Sequence, residues 1–553
     1  MTALLLRNGR VWTGRPADDD AEVGAVLVAN GRVVGTGDDA LRSAAVDTQV
    51  VDLDGRRVVP GLIDSHLHAV RAGNSYLVEL DWTDVRSVAE ALGSIERAAV
   101  ERPPGAWIPV LGGWHPSQFT ERRAPTRAEL DTAAPRHPVF VNPIYGHDDV
   151  AVLNSAGLAA MGWQDGCPHP DGGQLHRHPG GGLTGGLTGI PLYTRIGRAA
   201  LVADRDLEDR STVAFFRRLA SLGISGVVDA GGMGMSPERY RAVREVWRRG
   251  QLPIRVRTLH GAVTAGQELT EMAGWLRFLA PGLGDDMLSV LGAGEAVHYG
   301  CHDWEGMEPF EVGESSWAEL VGIARRCAEA GWPLAVHAIL DSSATRILDA
   351  FEVVAADHDL ESLRFSLHHV ECISDDNLER VARLGIGLAI QGRMAQKAAT
   401  AASRWGEAAL RRAPPLGAIR RLGIPYGAGT DGTRSASYNP WLTIWWLVTG
   451  GVADRGPRRA DEHLLSVAEA LRAYTSGSAW FSFEEHRRGT LSPGMLADIA
   501  VLSEDPFAID VDAIPHLRAD LTIVGGRVAF ASSSFAGLAP EPNEPRPGPT
   551  SSR

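Results

Sequence analysis

Short apolar runs mark both ends of the chain. Near the N-terminus they cover residues 4–13, 24–36 and 48–59, and Asn-Gly or Asp-Gly pairs interrupt them. Such pairs are typical of tight turns between strands. Similar runs return at residues 497–502 and 521–528. The pattern predicts short strands at both ends, which together build one small β domain.

Between these ends, helical stretches alternate with short apolar runs. Thr212–Leu222 precedes the run 226–229, and Trp317–Ala330 precedes the run 333–337. Residues 378–431 repeat this order twice. A helix followed by a strand, many times over, is typical of a parallel sheet covered by helices. Repetition on this scale favours a (β/α)₈ barrel over a doubly wound sheet.

These patterns predict an α/β protein with a discontinuous domain. The chain has 553 residues, more than one average domain, and a large barrel with an accessory domain accounts for that length. We expect residues 1–59 and 485–535 to form the β domain and residues 60–484 to form the barrel. Residues 536–553 are polar and rich in proline, which predicts a disordered tail.

Composition excludes several classes of partner. The net charge of −14 argues against nucleic acid or an anionic membrane, and no apolar run reaches the roughly 18 residues that span a bilayer. The four cysteines show no C-x-x-C spacing, so neither a disulfide framework nor a thiolate metal site is predicted. The N-terminus does not resemble a secretory signal. We therefore expect a cytoplasmic protein that acts on a small molecule.

The first candidate for chemistry is a pair of histidines. An apolar run over residues 58–63 leads into Asp64, and His66 and His68 follow. Side chains at positions i and i+2 of a strand point the same way, so two imidazoles can face one point. The pair is then two ligands of a metal ion; the alternative is a pair of hydrogen-bonded structural histidines.

Further polar residues end later apolar runs. His337 and Asp431 each close one run, and the pair His368-His369 closes another. Barrel active sites lie at the carboxyl ends of strands, so these side chains should meet the first two histidines. Imidazole and carboxylate suit Zn²⁺ or a similar divalent ion, which would lower the pKa of a bound water to about 7. Asp431 beside that water can act as general base and then as general acid.

Several motifs resemble those of the amidohydrolase superfamily. They are Pro60–His68, Val336-His337-Ala338, His369, Gly429-Thr430-Asp431 and Gly494 with Ala497-Asp498. Three further motifs resemble amidohydrolase family 3, the group of formamide-deformylase-like metal-dependent hydrolases. These are Gly112-Gly113-Trp114, His147 with Asn154–Leu158, and Gly432 with Asn439-Pro440-Trp441.

The resemblance implies a fold and a set of roles. The fold is a distorted TIM (β/α)₈ barrel with a small β-sandwich domain built from both chain ends. By position, His66 and His68 come from the first strand, His337 from the fifth, His369 from the sixth and Asp431 from the eighth. The implied activity is metal-dependent hydrolysis of a C–N bond.

One departure from the family pattern concerns the fourth strand. Many relatives have a lysine there, carboxylated so that it bridges two metal ions, whereas residues 288–297 contain none. Glu295 is the nearest candidate for a ligand, since a carboxylate can also bridge two ions. Alternatively, Glu295 is a solvated or hydrogen-bonded loop residue, and His66, His68, His337 and Asp431 hold a single ion.

Neighbouring residues on a strand face opposite sides. By position we therefore assign His369 to the site and expect His368 to pack between strand and helix. Four residues are expected to line the substrate pocket, because aromatic and polar groups are typical of such linings. They are Trp114, His147, Asn154 and Tyr438.

The predicted function is hydrolysis of an amide, with an N-substituted formamide as one example. The predicted cofactor is one or two divalent ions, with zinc as the first candidate. A deaminase or a cyclic amidase of the same superfamily is an alternative, because fold does not fix substrate. A barrel that lost part of its metal site and only binds a ligand is another. A homodimer is compatible with the sequence.

Overall fold

The computed structural model describes residues 3–16, 23–145, 150–453, 456 and 458–539. Its strands, in chain order, are β1 (Leu4–Val11), β2 (Val23–Ala29), β3 (Arg32–Thr36), β4 (Gln49–Asp52), β5 (Arg57–Pro60), β6 (Leu62–Leu67), β7 (Ile108–Leu111), β8 (Val139–Asn142), β9 (Ala151–Leu153), β10 (Gln174–Arg177), β11 (Leu183–Thr188), β12 (Ile224–Asp229), β13 (Arg255–His260), β14 (Leu288–Ala293), β15 (Ala335–Ala338), β16 (Ser366–His369), β17 (Gly387–Gln391), β18 (Tyr426–Gly429), β19 (Ile499–Leu502), β20 (Ala519–Val524) and β21 (Arg527–Ala531).

The α-helices are α1 (Gly37–Ser43), α2 (Ala69–Gly73), α3 (Val88–Glu101), α4 (Arg127–Ala133), α5 (Ser155–Ala160), α6 (Ile190–Ala200), α7 (Arg205–Ser221), α8 (Arg241–Arg248), α9 (Glu268–Phe278), α10 (Glu314–Glu329), α11 (Asp341–Ala355), α12 (Asp375–Leu384), α13 (Met394–Trp405), α14 (Glu407–Arg412), α15 (Leu416–Arg421), α16 (Pro440–Thr449), α17 (Val467–Ala473) and α18 (Ser476–Trp480). Within the described ranges, none of these helices has both the length and the apolar character that a membrane crossing requires.

Strands from both chain ends pair in one eight-stranded sheet. Its order is β21-β20-β19-β5-β1-β2-β3, and β4 also pairs with β1. Strand β19 runs antiparallel to β5, with Ala500 opposite Val59. The C-terminal strands therefore extend the sheet that the N-terminal strands begin. These strands form one sheet, and the expected two-layer sandwich is not seen among the described residues.

The Asn-Gly pairs of this sheet have two different roles. Asn30-Gly31 forms the hairpin turn between β2 and β3, with φ of +51° and +75°. Asn8-Gly9 instead lies inside β1, where the pairing with β2 shifts register. Asn8 adopts a φ of +56°, which asparagine tolerates better than most residues. The predicted turn at this position is therefore a bulge within a strand.

Eight parallel strands form the central part of the chain. One four-stranded sheet has the order β14-β13-β12-β6 and the other has the order β15-β16-β17-β18. A parallel bridge joins Ala293 to Leu334 between β14 and β15. At the opposite edges, the Asp431 N–H donates to the His66 carbonyl at 2.9 Å. The two sheets thus meet at both edges, and the carboxyl ends of their strands point the same way.

A helix precedes each of the strands β12 to β18. The four helix–strand pairs expected from the sequence are present as α7–β12, α10–β15, α12–β17 and α15–β18, so the α/β alternation is confirmed. Helices and strands share one continuous apolar core, in which Phe215, Leu320 and Ile419 are fully buried.

A five-stranded sheet interrupts this alternation between β6 and β12. Its order is β10-β11-β9-β8-β7. The barrel range expected from the sequence, residues 60–484, includes this stretch, which the structure shows as a separate sheet. The sheet has its own core, in which the Trp114 ring stacks on Phe119 at 5.2 Å and meets Trp82 edge-on at 5.0 Å.

A buried ion pair joins the terminal sheet to the central strands. Arg255 of β13 donates to both carboxylate oxygens of Asp498, at 2.8 and 3.0 Å, and both side chains are 3% exposed. The Asp498 carbonyl accepts the Gly61 N–H at 2.9 Å, directly before β6. The motif Ala497-Asp498 therefore attaches the terminal sheet to the central strands.

The predicted tail begins in a short 3₁₀ helix, Ser533–Leu538, and residues beyond 539 lie outside the described part.

Candidate metal centre

Six polar side chains converge at the carboxyl ends of five parallel strands. Each is at most 5% exposed, which is rare for histidine and carboxylate unless they are paired or bind a metal. They are His66 and His68 at the end of β6, Glu295 after β14, His337 of β15, His369 at the end of β16, and Asp431 after β18.

Glu295 lies at the middle of this group. Its Oε2 is 3.2 Å from His369 Nε2, 3.3 Å from His337 Nδ1 and 3.5 Å from His66 Nε2. Its Oε1 is 3.3 Å from His68 Nε2. One carboxylate therefore faces His68 with one oxygen and His66, His337 and His369 with the other.

Asp431 lies on the side of the first strand. Its Oδ1 is 3.2 Å from His68 Nε2 and 3.5 Å from His66 Nε2. Two overlapping sets of three potential ligands result, each with its ligand atoms within 4.8 Å of one another. One set joins His66, Glu295 and His369; the other joins His66, His68 and Asp431.

These separations fit a divalent ion. Four tetrahedral ligands at about 2.0–2.1 Å from zinc stand about 3.3 Å apart, which matches the observed 3.2–3.5 Å between nitrogen and oxygen. In addition, His66 Nε2 is fully buried and has no hydrogen-bond partner in the described part of the chain. Neutral imidazole and carboxylate are also the ligand types that Zn²⁺ prefers.

Both carboxylates are ionised at neutral pH. Burial opposes the charge of Glu295, but the surrounding histidines outweigh burial and hold its pKa well below the usual value. Burial likewise opposes the charge of Asp431, and the adjacent His66 and His68 side chains hold its pKa well below the usual value. The group therefore supplies two negative charges, which favour a cation between them.

Asp303 fixes the orientation of His337. Burial opposes protonation of His337, but hydrogen bonds to Asp303 and Glu295 raise its pKa to about 10. The Nε2 of its ring is 2.9 Å from Asp303 Oδ1 and 2.6 Å from the Trp304 carbonyl, so Nδ1 is the nitrogen that faces Glu295. Asp303 also accepts the N–H of Leu340 at 2.8 Å. A carboxylate behind a ligand histidine is a usual support of metal sites.

His368 lies against His66 and does not pack between strand and helix as expected. Its Nδ1 is 2.6 Å from His66 Nδ1, so one ring donates to the other. Burial and the neighbouring His66 lower its pKa well below the usual value, which keeps it neutral. The strict alternation of a strand fails here because His369 has a φ of +80°. Both neighbours can therefore reach the same interior.

Asp64 holds the first and eighth strands together at the site. Its Oδ1 accepts the His66 N–H at 3.0 Å, and its Oδ2 accepts the Thr430 hydroxyl at 2.7 Å. Thr430 directly precedes Asp431. Burial raises the pKa of Asp64 to about 7 against these hydrogen bonds. One buried carboxylate thus positions ligands from two strands.

Asp229 has a similar role behind His68. It ends β12 and accepts the Val70 N–H at 2.8 Å, which fixes the start of α2 directly after His68. Burial raises its pKa to about 6. The sequence carried the signal for this residue, since Asp229 closes one of the predicted apolar runs.

The expected pocket residues have other contacts. Asn154 caps α5 and accepts the N–H groups of Gly157 and Val139 at 2.8 and 2.9 Å. Trp114 is fully buried in the core of the inserted sheet. The Tyr438 hydroxyl bonds to Asp81 and to Arg218. The structure does not place these three in the ligand group, and His147 lies outside the described residues.

A third group of potential ligands, Glu268, His298 and Glu319, lies apart from this site. The Nδ1 of His298 accepts the Gly300 N–H at 3.1 Å. The neutral ring therefore carries its proton on Nε2, which faces Glu319 at 3.1 Å. Because Nε2 then has no free lone pair, this group stabilises a turn instead of holding a metal.

Known proteins resemble this chain over most of its length. N-substituted formamide deformylase from Arthrobacter pascens is 28% identical over 96% of this chain and 98% of that protein. The structure of an uncharacterized metal-dependent hydrolase from Pyrococcus horikoshii covers 92% of this chain and 99% of its own, at 22% identity and a TM-score of 0.64. The zinc complex of atrazine chlorohydrolase TrzN from Arthrobacter aurescens covers 96% of this chain and 95% of its own, at 15% identity and a TM-score of 0.53. These two structures show a shared fold.

The sequence profile of the amidohydrolase family matches residues 49–530. This match includes all six side chains of the candidate site and most strands of both parts of the fold. The chain therefore belongs to the amidohydrolase family and is a metal-dependent amidohydrolase.

Proposed function

We propose that this enzyme cleaves the C–N bond of an N-substituted formamide or a closely related small amide, with two divalent ions. The position of Glu295 carries the proposal, because its Oε1 faces His68 of the first strand whereas its Oε2 faces His337 and His369 as well as His66. His66, His68 and Asp431 would hold one ion. His337 and His369 would hold the other, and Glu295 would bridge them.

We also infer that the two four-stranded sheets close into one (β/α)₈ barrel. The bridge between Ala293 and Leu334 and the hydrogen bond between Asp431 and His66 support this closure. In such a barrel the carboxyl ends of all eight strands surround one mouth. Ligands from strands far apart in sequence can therefore meet at one point.

A divalent ion held by these residues would supply two effects: a lower pKa of a water molecule and polarisation of the amide carbonyl. The residues of the chain then have separate tasks. Asp431 is ionised at neutral pH, so it can accept a proton and deliver it to the departing nitrogen. Asp303 and Asp64 hold His337 and His66 in place, which limits the reorganisation that the reaction requires.

Two comparisons support the choice of substrate and metal. The formamide deformylase matches nearly the whole chain, which favours a small amide. The structurally similar triazine hydrolase was crystallised with zinc, which favours zinc. All six candidate metal-binding residues are present. This observation argues against a barrel that has lost part of its metal site and only binds a small molecule.

The test combines metal analysis with a hydrolysis screen. We expect purified enzyme to carry two equivalents of zinc and to hydrolyse N-benzylformamide faster than acyl amides, hydantoins or carbamates. His337→Ala should abolish hydrolysis, whereas the exposed control His486→Ala should retain it. Hydrolysis of a hydantoin or release of ammonia from an aminated ring, with no attack on formamides, would contradict the proposal.

A further inference from the structure

Next to the candidate metal centre lies an arginine that has no hydrogen-bond or ion-pair partner among the described residues. Arg71 belongs to α2, the helix that begins directly after His68. Within the described ranges, its guanidinium forms neither a hydrogen bond nor an ion pair. The nearby Arg434 differs, because Glu79 binds it through two hydrogen bonds of 2.6 and 2.7 Å.

The guanidinium lies on the same side of the backbone as the His68 ring. A Cβ atom added to Gly232 would stand 2.9 Å from His68 Nδ1 and 3.8 Å from Arg71 Nη1. Both groups therefore lie over the bare backbone of Gly232. Arg71 is also partly exposed, so a ligand from solvent can reach it.

The positive charge of Arg71 is not neutralised by a paired carboxylate among the described residues, so an anion could bind there. Burial and repulsion by Arg434 lower its pKa, whereas Asp431 and Glu295 act in the opposite direction. Both of those carboxylates face histidines in the ligand group and would be engaged by metal ions. Arg71 then remains a cation with five N–H donors and no counter-ion in the described part of the chain.

We propose that Arg71 binds a carboxylate of the substrate and thereby selects amides that carry a negative charge beside the scissile bond. The planar guanidinium fork matches the two oxygens of a carboxylate. This inference rests on the proposed function. A formyl group offers no position for a second charged group, so the carboxylate belongs to the substituent on the nitrogen.

Two substrates that differ only in this group test the proposal. N-formylphenylglycine is N-benzylformamide with a carboxylate on the carbon next to nitrogen. Kinetic constants for both would be measured with zinc-loaded wild type, Arg71→Gln and Arg71→Lys. The control is Arg244→Gln, which removes an exposed arginine of α8.

We expect the wild type to prefer the carboxylated substrate. Arg71→Gln should reduce that preference, measured as the ratio of the two kcat/KM values, by about 10- to 100-fold, because a charged hydrogen-bond pair is lost. The loss should come mainly from KM. The ratio for Arg71→Lys should lie between those of the wild type and Arg71→Gln, since lysine keeps the charge but lacks the planar guanidinium group. Arg244→Gln should match the wild type.

A second readout does not depend on turnover. Calorimetry should show that N-formylphenylglycine binds the wild type more tightly than Arg71→Gln, and that added salt weakens this binding. An unchanged ratio and unchanged binding would overturn the proposal. Equal losses for both substrates would also overturn it, because Arg71 would then act on the shared carbonyl. If the wild type binds the carboxylated compound through Arg71 but hydrolyses neither, the proposed function fails and this inference stands.

Discussion

Replacing Glu295 by glutamine removes one negative charge from the middle of the candidate metal centre while keeping the size of the side chain. Glu295 faces four imidazoles at 3.2–3.5 Å and is the carboxylate that reaches both sets of histidines. We therefore expect Glu295→Gln to lose one of two zinc ions and nearly all hydrolysis.

The size of the effect follows from the position of Glu295. Loss of a residue that only supports a ligand costs about 10- to 100-fold in metal affinity. Glu295 would contact the ions directly, so its replacement should weaken the second ion by more than about 100-fold, or about 2.7 kcal/mol. Glu295→Asp should lose less, because it keeps the charge and shortens the side chain by one methylene group.

The assay is metal content by mass spectrometry after dialysis against a zinc buffer, together with circular dichroism to check the fold. The exposed Glu96→Gln in α3 is the control for loss of a carboxylate elsewhere. A second readout is the imidazole nitrogen resonance of His337 in metal-free protein. Glu295 helps to raise the pKa of His337, so that pKa should fall in the variant. Two zinc ions retained by Glu295→Gln would refute the bridging role.

Three further predictions concern protons, orientation and attachment. The pKa of His68 is raised to about 9 and that of His337 to about 10, so both side chains carry an extra proton in metal-free protein at pH 7. Zinc binding should therefore release about two protons, and zinc affinity should increase as pH rises from 6 to 9. Calorimetry in two buffers with different ionisation enthalpies measures the protons released, and a value of zero would contradict this prediction. Asp303→Asn removes the negative charge behind the His337 ring and should cost about 10- to 100-fold in zinc affinity. An unchanged zinc affinity would contradict the support role of Asp303. Asp498→Asn leaves Arg255 buried without its partner and should lower the free energy of unfolding by about 3–5 kcal/mol in urea. The exposed Asp39→Asn is the control for both variants and should stay within about 0.5 kcal/mol of the wild type.

The sequence predicted the elements of this fold wherever one local rule decided the outcome. Asn30-Gly31 forms the expected hairpin turn, since its backbone needs positive φ. Helix–strand pairs such as α7–β12 follow from amphipathic and apolar runs. The inserted sheet from β7 to β11 was not predicted. Its short apolar runs can pair in more than one way, and only packing against its own core selects the pairing.

The His66-x-His68 spacing by itself determined that two imidazoles can share one direction, because side chains two apart on a strand point the same way. The sequence also shows the residues that end later strands, and the structure brings His337 and His369 to Glu295 and brings Asp431 to His68. The sequence could not determine that Glu295 reaches all four histidines, that His368 lies against His66, or that Asp303 holds His337. Those contacts join strands and loops far apart along the chain. Their geometry therefore depends on how the two parallel sheets meet, which no local pattern encodes.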